Sequence, residues 1–250
     1  MAGHSKWAQI KHKKATVDAR RGQLFTKLAR AITVAARDGG ADPDGNASLA
    51  NAIEKAKSFR MPKDNIDRAI ARGTGEGLDA AAIEAVTYEG YGPGGVAILV
   101  ECLTDNRNRI AAEIRHLFSR ADASMGEPGS VAWMFEKKGI VLVDSERYSE
   151  EDLMPAIDAG AEDVAAEGDS LRIVCEPTDL RAVRAALEES GVEVESTEQT
   201  MLPKTTVEVG PEDARKLLRL IDALDDQDDV DQVHANFDIK AEVLEEVATG

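Results

Sequence analysis

The sequence predicts an α+β protein: an N-terminal three-helix domain followed by two α/β domains, the third of them ferredoxin-like and inserted in the second. Three observations predict it. Up to residue 73 the apolar residues recur at helical spacing, with no strand-like run between them. Beyond a glycine-rich link at 73–77, runs rich in β-branched residues alternate with helical ones. Between residues 138 and 203 the order reads β-α-β-β-α-β, complete in itself, while the pieces on either side of it are incomplete alone.

The first domain, 1–77, begins with a helix that has two faces. Counted at about 100° per residue from Arg20, the apolar Leu24, Phe25, Leu28, Ala29, Ile32, Ala35 and Ala36 share one arc, and Lys27, Arg30 and Arg37 the opposite one. Only Arg21 breaks the partition. The glycines and proline of 38–46 stop this helix and offer Asn46 or Ser48 as the cap of a second, on which Leu49, Ile53, Ala56 and Phe59 recur. Pro62 falls in the first turn of a third helix, with Ile66, Ala69 and Ile70 on one side and Gly73 beyond its end.

The middle domain is expected to combine 78–137 with 204–250. Strands at 85–91 and 95–103 flank Gly92-Pro93-Gly94, a hairpin turn with proline before glycine. A helix follows, capped by Asp105 or Asn106, with Ile110, Ile114, Leu117, Phe118 and Ala121 as its apolar side. Further strands are expected at 129–135, 205–209 and 233–239, and a helix at 211–224. The inserted domain, 138–203, reads as strand 139–143, helix 149–159, strands 161–166 and 171–175, helix 178–189 and strand 192–202.

Charge divides the chain more sharply than pattern does. The net charge is -17, yet residues 1–37 hold nine Lys/Arg against the single acid Asp18; residues 38–72 balance, and 73–250 hold fifteen basic against forty acidic residues. A basic arm of Lys6, Trp7, Lys11, Lys13 and Lys14, followed by Arg20, Arg21, Lys27, Arg30 and Arg37 on the first helix, is the footprint that polyanion binding requires. A secondary anion contact is expected at Asn106, Arg107 and Arg109, where a helix N-terminus adds its positive pole. The expected partner is nucleic acid, DNA or ribosomal RNA, and with the latter the ribosome.

Other chemistry finds little support. His4, His12, His116 and His234 show no metal-ligand spacing, and Cys102 and Cys175 read as buried free thiols. The G-x-G-x-x-G spelling at Gly90, Gly92 and Gly95 precedes a strand, whereas a dinucleotide site needs a helix there. The six acids between Asp222 and Asp231 lack the glycine and closing glutamate of a calcium loop and read as a solvated acidic loop. No nucleophile elbow or P-loop is present, so no enzyme, cofactor or small-molecule substrate is expected. The longest aliphatic run, 96–100, is far short of a membrane span, and the basic N-terminus has no apolar run behind it, so the expected place of action is the cytoplasm.

Several motifs stand in order along the chain: Gly3-His4-Ser5-Lys6-Trp7, Arg21-Gly22 before Phe25, Gly39-Gly40 with Asp42-Pro43 and Asn46, Met61-Pro62-Lys63-Asp64-Asn65-Ile66, Tyr88-Glu89-Gly90-Tyr91-Gly92-Pro93-Gly94-Gly95, and Thr104-Asp105-Asn106-Arg107-Asn108-Arg109. Together they resemble the YebC/PmpR family over essentially the whole chain. Gln23, Ala31, Phe59-Arg60 and 121–123 depart from its pattern. The resemblance implies three domains and a cytoplasmic protein classed as a DNA-binding transcriptional regulator, or as a ribosome-associated factor that assists synthesis of proline-rich stretches.

Overall fold

The structure, a computed structural model, describes residues 18–75, 83–240 and 243. The helical stretches become α1 (Asp18–Gly39), α2 (Ala47–Ser58) and α3 (Lys63–Gly73). Leu28, Ile32 and Ala36 of α1 meet Leu49 and Ala56 of α2, Met61, and Ile66 and Ala69 of α3 in one core. The apolar stripe counted along the sequence is therefore the buried one. Asn46 makes the first turn: its side-chain oxygen accepts from Leu49 N at 3.0 Å, and its amide nitrogen donates to Ala35 O at 2.7 Å and Gly40 O at 2.9 Å. One buried side chain thereby satisfies groups at two helix ends.

The end of α3 presses on α1 closely enough to need glycine. A Cβ on Gly73 would stand 2.3 Å from Thr33 O and 2.8 Å from Ala36 Cβ. Gly73→Ala is expected to cost about 2 kcal/mol, the range of overpacking in a filled core. Thermal unfolding monitored on the helical signal checks it; an unchanged melt would mean that the two helices separate freely.

Strands β1 (Glu84–Tyr91) and β2 (Ala97–Thr104) form an antiparallel hairpin, in which Gly94 and Gly95 turn the chain with φ of 73° and 76°. Helix α4 (Arg107–Arg120) follows, then the two-residue β3 (Ser124–Met125), which pairs with β1 and which the sequence reading lacked. Far along the chain, β8 (Val207–Glu208), α7 (Pro211–Asp225), β9 (Val230–Ala235) and β10 (Phe237–Asp238) return: β9 pairs antiparallel with β2, closing a sheet of order β3-β1-β2-β9, and β10 pairs parallel with β8. Ile98, Val100 and Cys102 point into a core with α4 and α7, while Ala97 and Leu99 meet Val131 and Phe135 on the other face. Burial on both faces explains the unbroken aliphatic run at 96–100.

Between these pieces lies a second sheet. Strands β4 (Phe135–Asp144), β5 (Ala161–Glu167), β6 (Ser170–Cys175) and β7 (Val194–Pro203) stand in the order β5-β6-β4-β7, all antiparallel. With α5 (Met154–Asp158) and α6 (Leu180–Glu189) this is the ferredoxin-like arrangement, inserted in the sheet-and-helix unit around it. Its own core joins Val141 and Val143 to Leu153, Ile173, Val183 and Leu187.

The single strand expected at 233–239 is two, β9 and β10, in separate sheets, and two further elements differ from expectation. The helix expected over 149–159 is a 3-10 turn at Glu150–Leu153, opened by the Ser149/Asp152 capping box, and then the short α5; Pro155 has no N–H to carry the ladder across. The strand expected at 129–135 is a loop ending in a 3-10 turn, Ala132–Met134. The reason is Glu89, a buried acid on β1 whose carboxylate accepts from Gly129 N at 2.6 Å, Val131 N at 2.7 Å and Ala132 N at 2.8 Å. Those N–H groups are the ones a ladder would have used. Tyr91 adds a hydroxyl donated to Ser130 O at 3.2 Å, and the loop so held presents Trp133 exposed at its end.

Candidate nucleic-acid interface

Helix α1 positions the cations that the sequence singled out, and its second face does not look into open solvent. It lies against residues 225–229, the last residue of α7 and the link from it to β9. Lys27 Nζ donates to Asp225 O, and Arg30 donates to Asp228 O and Asp229 Oδ1, each at 2.5 Å. Gln23 Nε2 donates to Asp228 Oδ1 at 3.2 Å. Arg37 lies elsewhere: its Nε donates to Asp38 Oδ1 at 2.8 Å and its NH1 to Ile83 O, tying α1 to the start of the middle unit. Lys6, Trp7, Lys11, Lys13 and Lys14 lie outside the described residues, and of Arg20 and Arg21 the backbone alone is described.

Asp229 is the centre of this contact. It is 5% exposed and takes, besides Arg30, Arg109 NH2 at 2.6 Å and Thr104 Oγ1 at 2.7 Å on its second oxygen. Burial pushes its carboxyl up, but the bonds from Arg109 and Thr104 and the charge of Arg30 outweigh it and hold the group below the usual carboxylate range. Two guanidinium groups and a hydroxyl converging on one oxyanion is the arrangement used for phosphate. Here the oxyanion belongs to the chain itself.

The expected secondary anion point is largely spoken for. Asn106 caps α4 by accepting from Arg109 N at 3.0 Å, and Arg109 also donates to Asp105 Oδ1 at 2.7 Å. Its bonds to Asp229 and Asp105 raise the guanidinium above its ordinary pKa. Arg107 is exposed, with Glu84 3.9 Å away. The structure thus brings Lys27, Arg30 and Arg109 together on 225–229, and leaves Arg37 and Arg107 apart from them.

A cavity of about 490 Å³ opens where the three units meet, lined by Asp38 and Ser48 of the first, Glu101 and Asp231 of the second, and, on the strands of the second sheet, Lys137 of β4 and Thr200 of β7. Buried His234 crosses this junction, with Nε2 3.0 Å from Glu101 Oε2 and Nδ1 3.3 Å from Thr200 Oγ1. The bond to His234 holds the Glu101 carboxyl down, whereas burial pushes that of Asp231 up. Three carboxyl groups against one lysine make it a poor seat for a polyanion.

Both cysteines are free and buried; burial pushes the Cys102 thiol up to about 12 and the Cys175 thiol up to about 11, far from the thiolate that reactivity needs. Among the described residues no group of three or more His, Cys, Asp or Glu could hold a metal ion, and no helix is long and apolar enough to cross a membrane.

Comparison with known proteins covers nearly the whole chain. Residues 5–76 match the family model described as the TACO1/YebC protein N-terminal domain, and residues 83–237 the one described as the TACO1/YebC second and third domain. The chain is 56% identical over 249 residues to a "Probable transcriptional regulatory protein" of Rubrobacter xylanophilus and 54% identical over 249 residues to one of Thermobifida fusca; each alignment covers 99% of this chain and 100% of the relative. Among solved structures, a conserved hypothetical protein of Aquifex aeolicus, Aq1575, superposes with a TM-score of 0.85 at 47% identity, covering 96% of this chain and 99% of that one.

Proposed function

Since the chain belongs to the TACO1/YebC family, we propose that it is a nucleic-acid-binding regulator of gene expression, acting in the cytoplasm on DNA, with residues 1–77 as the binding unit. In this reading the remaining chain works as two further units, 78–137 with 204–250, and 138–203. The observation that carries the reading is the charge reversal: nine cations to one acid in the first 37 residues of a chain at -17. The relatives' printed name, transcriptional regulatory protein, agrees with it. Lys6, Trp7, Lys11, Lys13, Lys14, Arg20 and Arg21 make the first contact, with Lys27, Arg30 and Arg37 behind them and Arg107 beside them.

Ribosomal RNA is the second reading, and Trp7 favours it. An aromatic among four lysines suits a base that is not paired, because the ring stacks while the cations follow the phosphates. A promoter-DNA shift assay beside sedimentation with ribosomal particles, at matched salt, separates the two.

Replacing Lys11, Lys13 and Lys14 by Gln is expected to weaken binding alike across sequences and to lower the salt slope by about 0.9 per lost contact on duplex DNA, or about 0.7 on a single strand. Stability should move by less than about 0.5 kcal/mol. A triple variant with the wild-type salt slope would exclude these lysines from the interface.

A further inference from the structure

The acidic segment at 225–229 has a feature that a plain solvated loop lacks: it holds the cationic face of α1. Its contacts come from Lys27, Arg30 and Gln23, and they fall on three main-chain carbonyls, Asp225 O, Asp226 O and Asp228 O, and two carboxylates, Asp228 and Asp229. The segment follows the C-terminus of the 15-residue α7, where the helix dipole adds its negative pole. To α1 this is a row of oxygens bearing negative charge, which is also what a phosphodiester backbone presents. The contact is polar, and Gln23, Asp226 and Asp228 at its edge are exposed. Polar contacts between units of one chain exchange far more readily than apolar ones.

We propose that residues 225–229 are an internal polyanion mimic that masks α1, so that nucleic acid and this segment compete for Lys27 and Arg30. The idea rests on the reading of residues 1–77 as the binding unit and adds a control to it. In the masked form the protein meets nucleic acid through its N-terminal arm alone. Full engagement requires α1 to leave the segment, after which Asp229 keeps Arg109 and Thr104 as partners and stays satisfied. If the masked form holds about nine-tenths of the molecules, apparent affinity is about tenfold below that of the open form.

The test locks and releases the contact in the full chain. Gln23→Cys with Asp228→Cys, joined by a cleavable bis-maleimide, fixes α1 on the segment; the native thiols are buried and do not compete. Binding is measured with a mixed-sequence DNA duplex and with a single-stranded RNA of equal length. The linked protein should bind at least about tenfold more weakly than the same protein after the linker is cut. Asp229→Asn, which loosens Arg30, should bind more tightly than wild type, whereas Glu150→Gln with Glu151→Gln, which removes more charge from the distant third unit, should change affinity by less than about twofold. Equal affinity of linked and cut protein, with wild type binding a probe, overturns the mask and leaves the proposed function standing. Binding of neither probe by any form overturns both. Should Asp229→Asn fold poorly, the linked pair alone decides.

Discussion

A chain beginning at residue 78 is expected to stay folded and to lose nucleic-acid binding by about a hundredfold or more, because several phosphate contacts vanish together and each is electrostatic. The first unit has a core of its own, built on Leu28, Ile32, Leu49 and Ile66, and none of those side chains is needed by the cores around Ile98 and Phe118 or around Ile173 and Val183. What the deletion uncovers is mainly polar, the segment at 225–229, Arg184 where it pairs with Glu54, and Ile83 O where it accepts from Arg37, and water can solvate these groups. What it leaves is strongly acidic, since residues 73–250 carry fifteen basic against forty acidic residues. Circular dichroism checks the fold and a shift assay at physiological salt the binding. Retention of full affinity by 78–250 would place the interface outside the first unit.

The second large effect is on stability. Glu89→Ala should cost about 3 kcal/mol, because it strips the partner from three main-chain N–H groups, those of Gly129, Val131 and Ala132, the second of them buried. Glu89→Gln keeps an acceptor but loses the charge, and should fall between. Trp133 reports on the same loop, its indole N–H donating to Ser130 O at 3.1 Å, so its fluorescence should change with both variants. The pH dependence has a definite sign. Burial raises the Glu89 carboxyl, yet the three N–H bonds prevail and hold its pKa below the ordinary 4.5. A depressed pKa contributes stability above the unfolded value that fades as pH falls through the folded one. The gap between wild type and Glu89→Gln should therefore be full at neutral pH and close below about pH 4.5. A gap independent of pH would show that Glu89 acts by shape alone.

Which features were legible in the sequence follows from the distance over which each is decided. The α1 stripe, the Asn46 cap and the β-α-β-β-α-β order depend on neighbours within a turn or a strand, and periodicity reads them. The loop after β3 does not: Glu89 reaches partners 40 to 43 positions away, and a single acid in a strand says nothing about which N–H groups it will take. The partner of the α1 cations is harder still. Arg30 and Asp228 stand 198 positions apart, and a cation opposite an apolar stripe looks the same whether it will meet water, phosphate or a carboxylate of its own chain. The six acids at 222–231 were visible as charge, and their complementarity to α1 was the one available hint.

The insertion sets a timetable for synthesis. Strand β2 lies inside its finished sheet, with β1 on one edge and β9 on the other, yet Thr104 at its end and Asp229, one residue before β9, are 125 positions apart. At about 5–20 residues per second of elongation, the β1–β2 hairpin waits roughly 6–25 seconds on the translating ribosome with one edge unpaired and its α7 side uncovered. The inserted unit can fold completely during that wait, because Phe135 at the start of β4 and Pro203 at the end of β7 are paired neighbours that close upon each other. The nascent chain thus finishes from the inside outward, and β9, the last strand of the middle sheet to emerge, is the one whose arrival seals that sheet and delivers the acidic segment to a helix made at the very beginning.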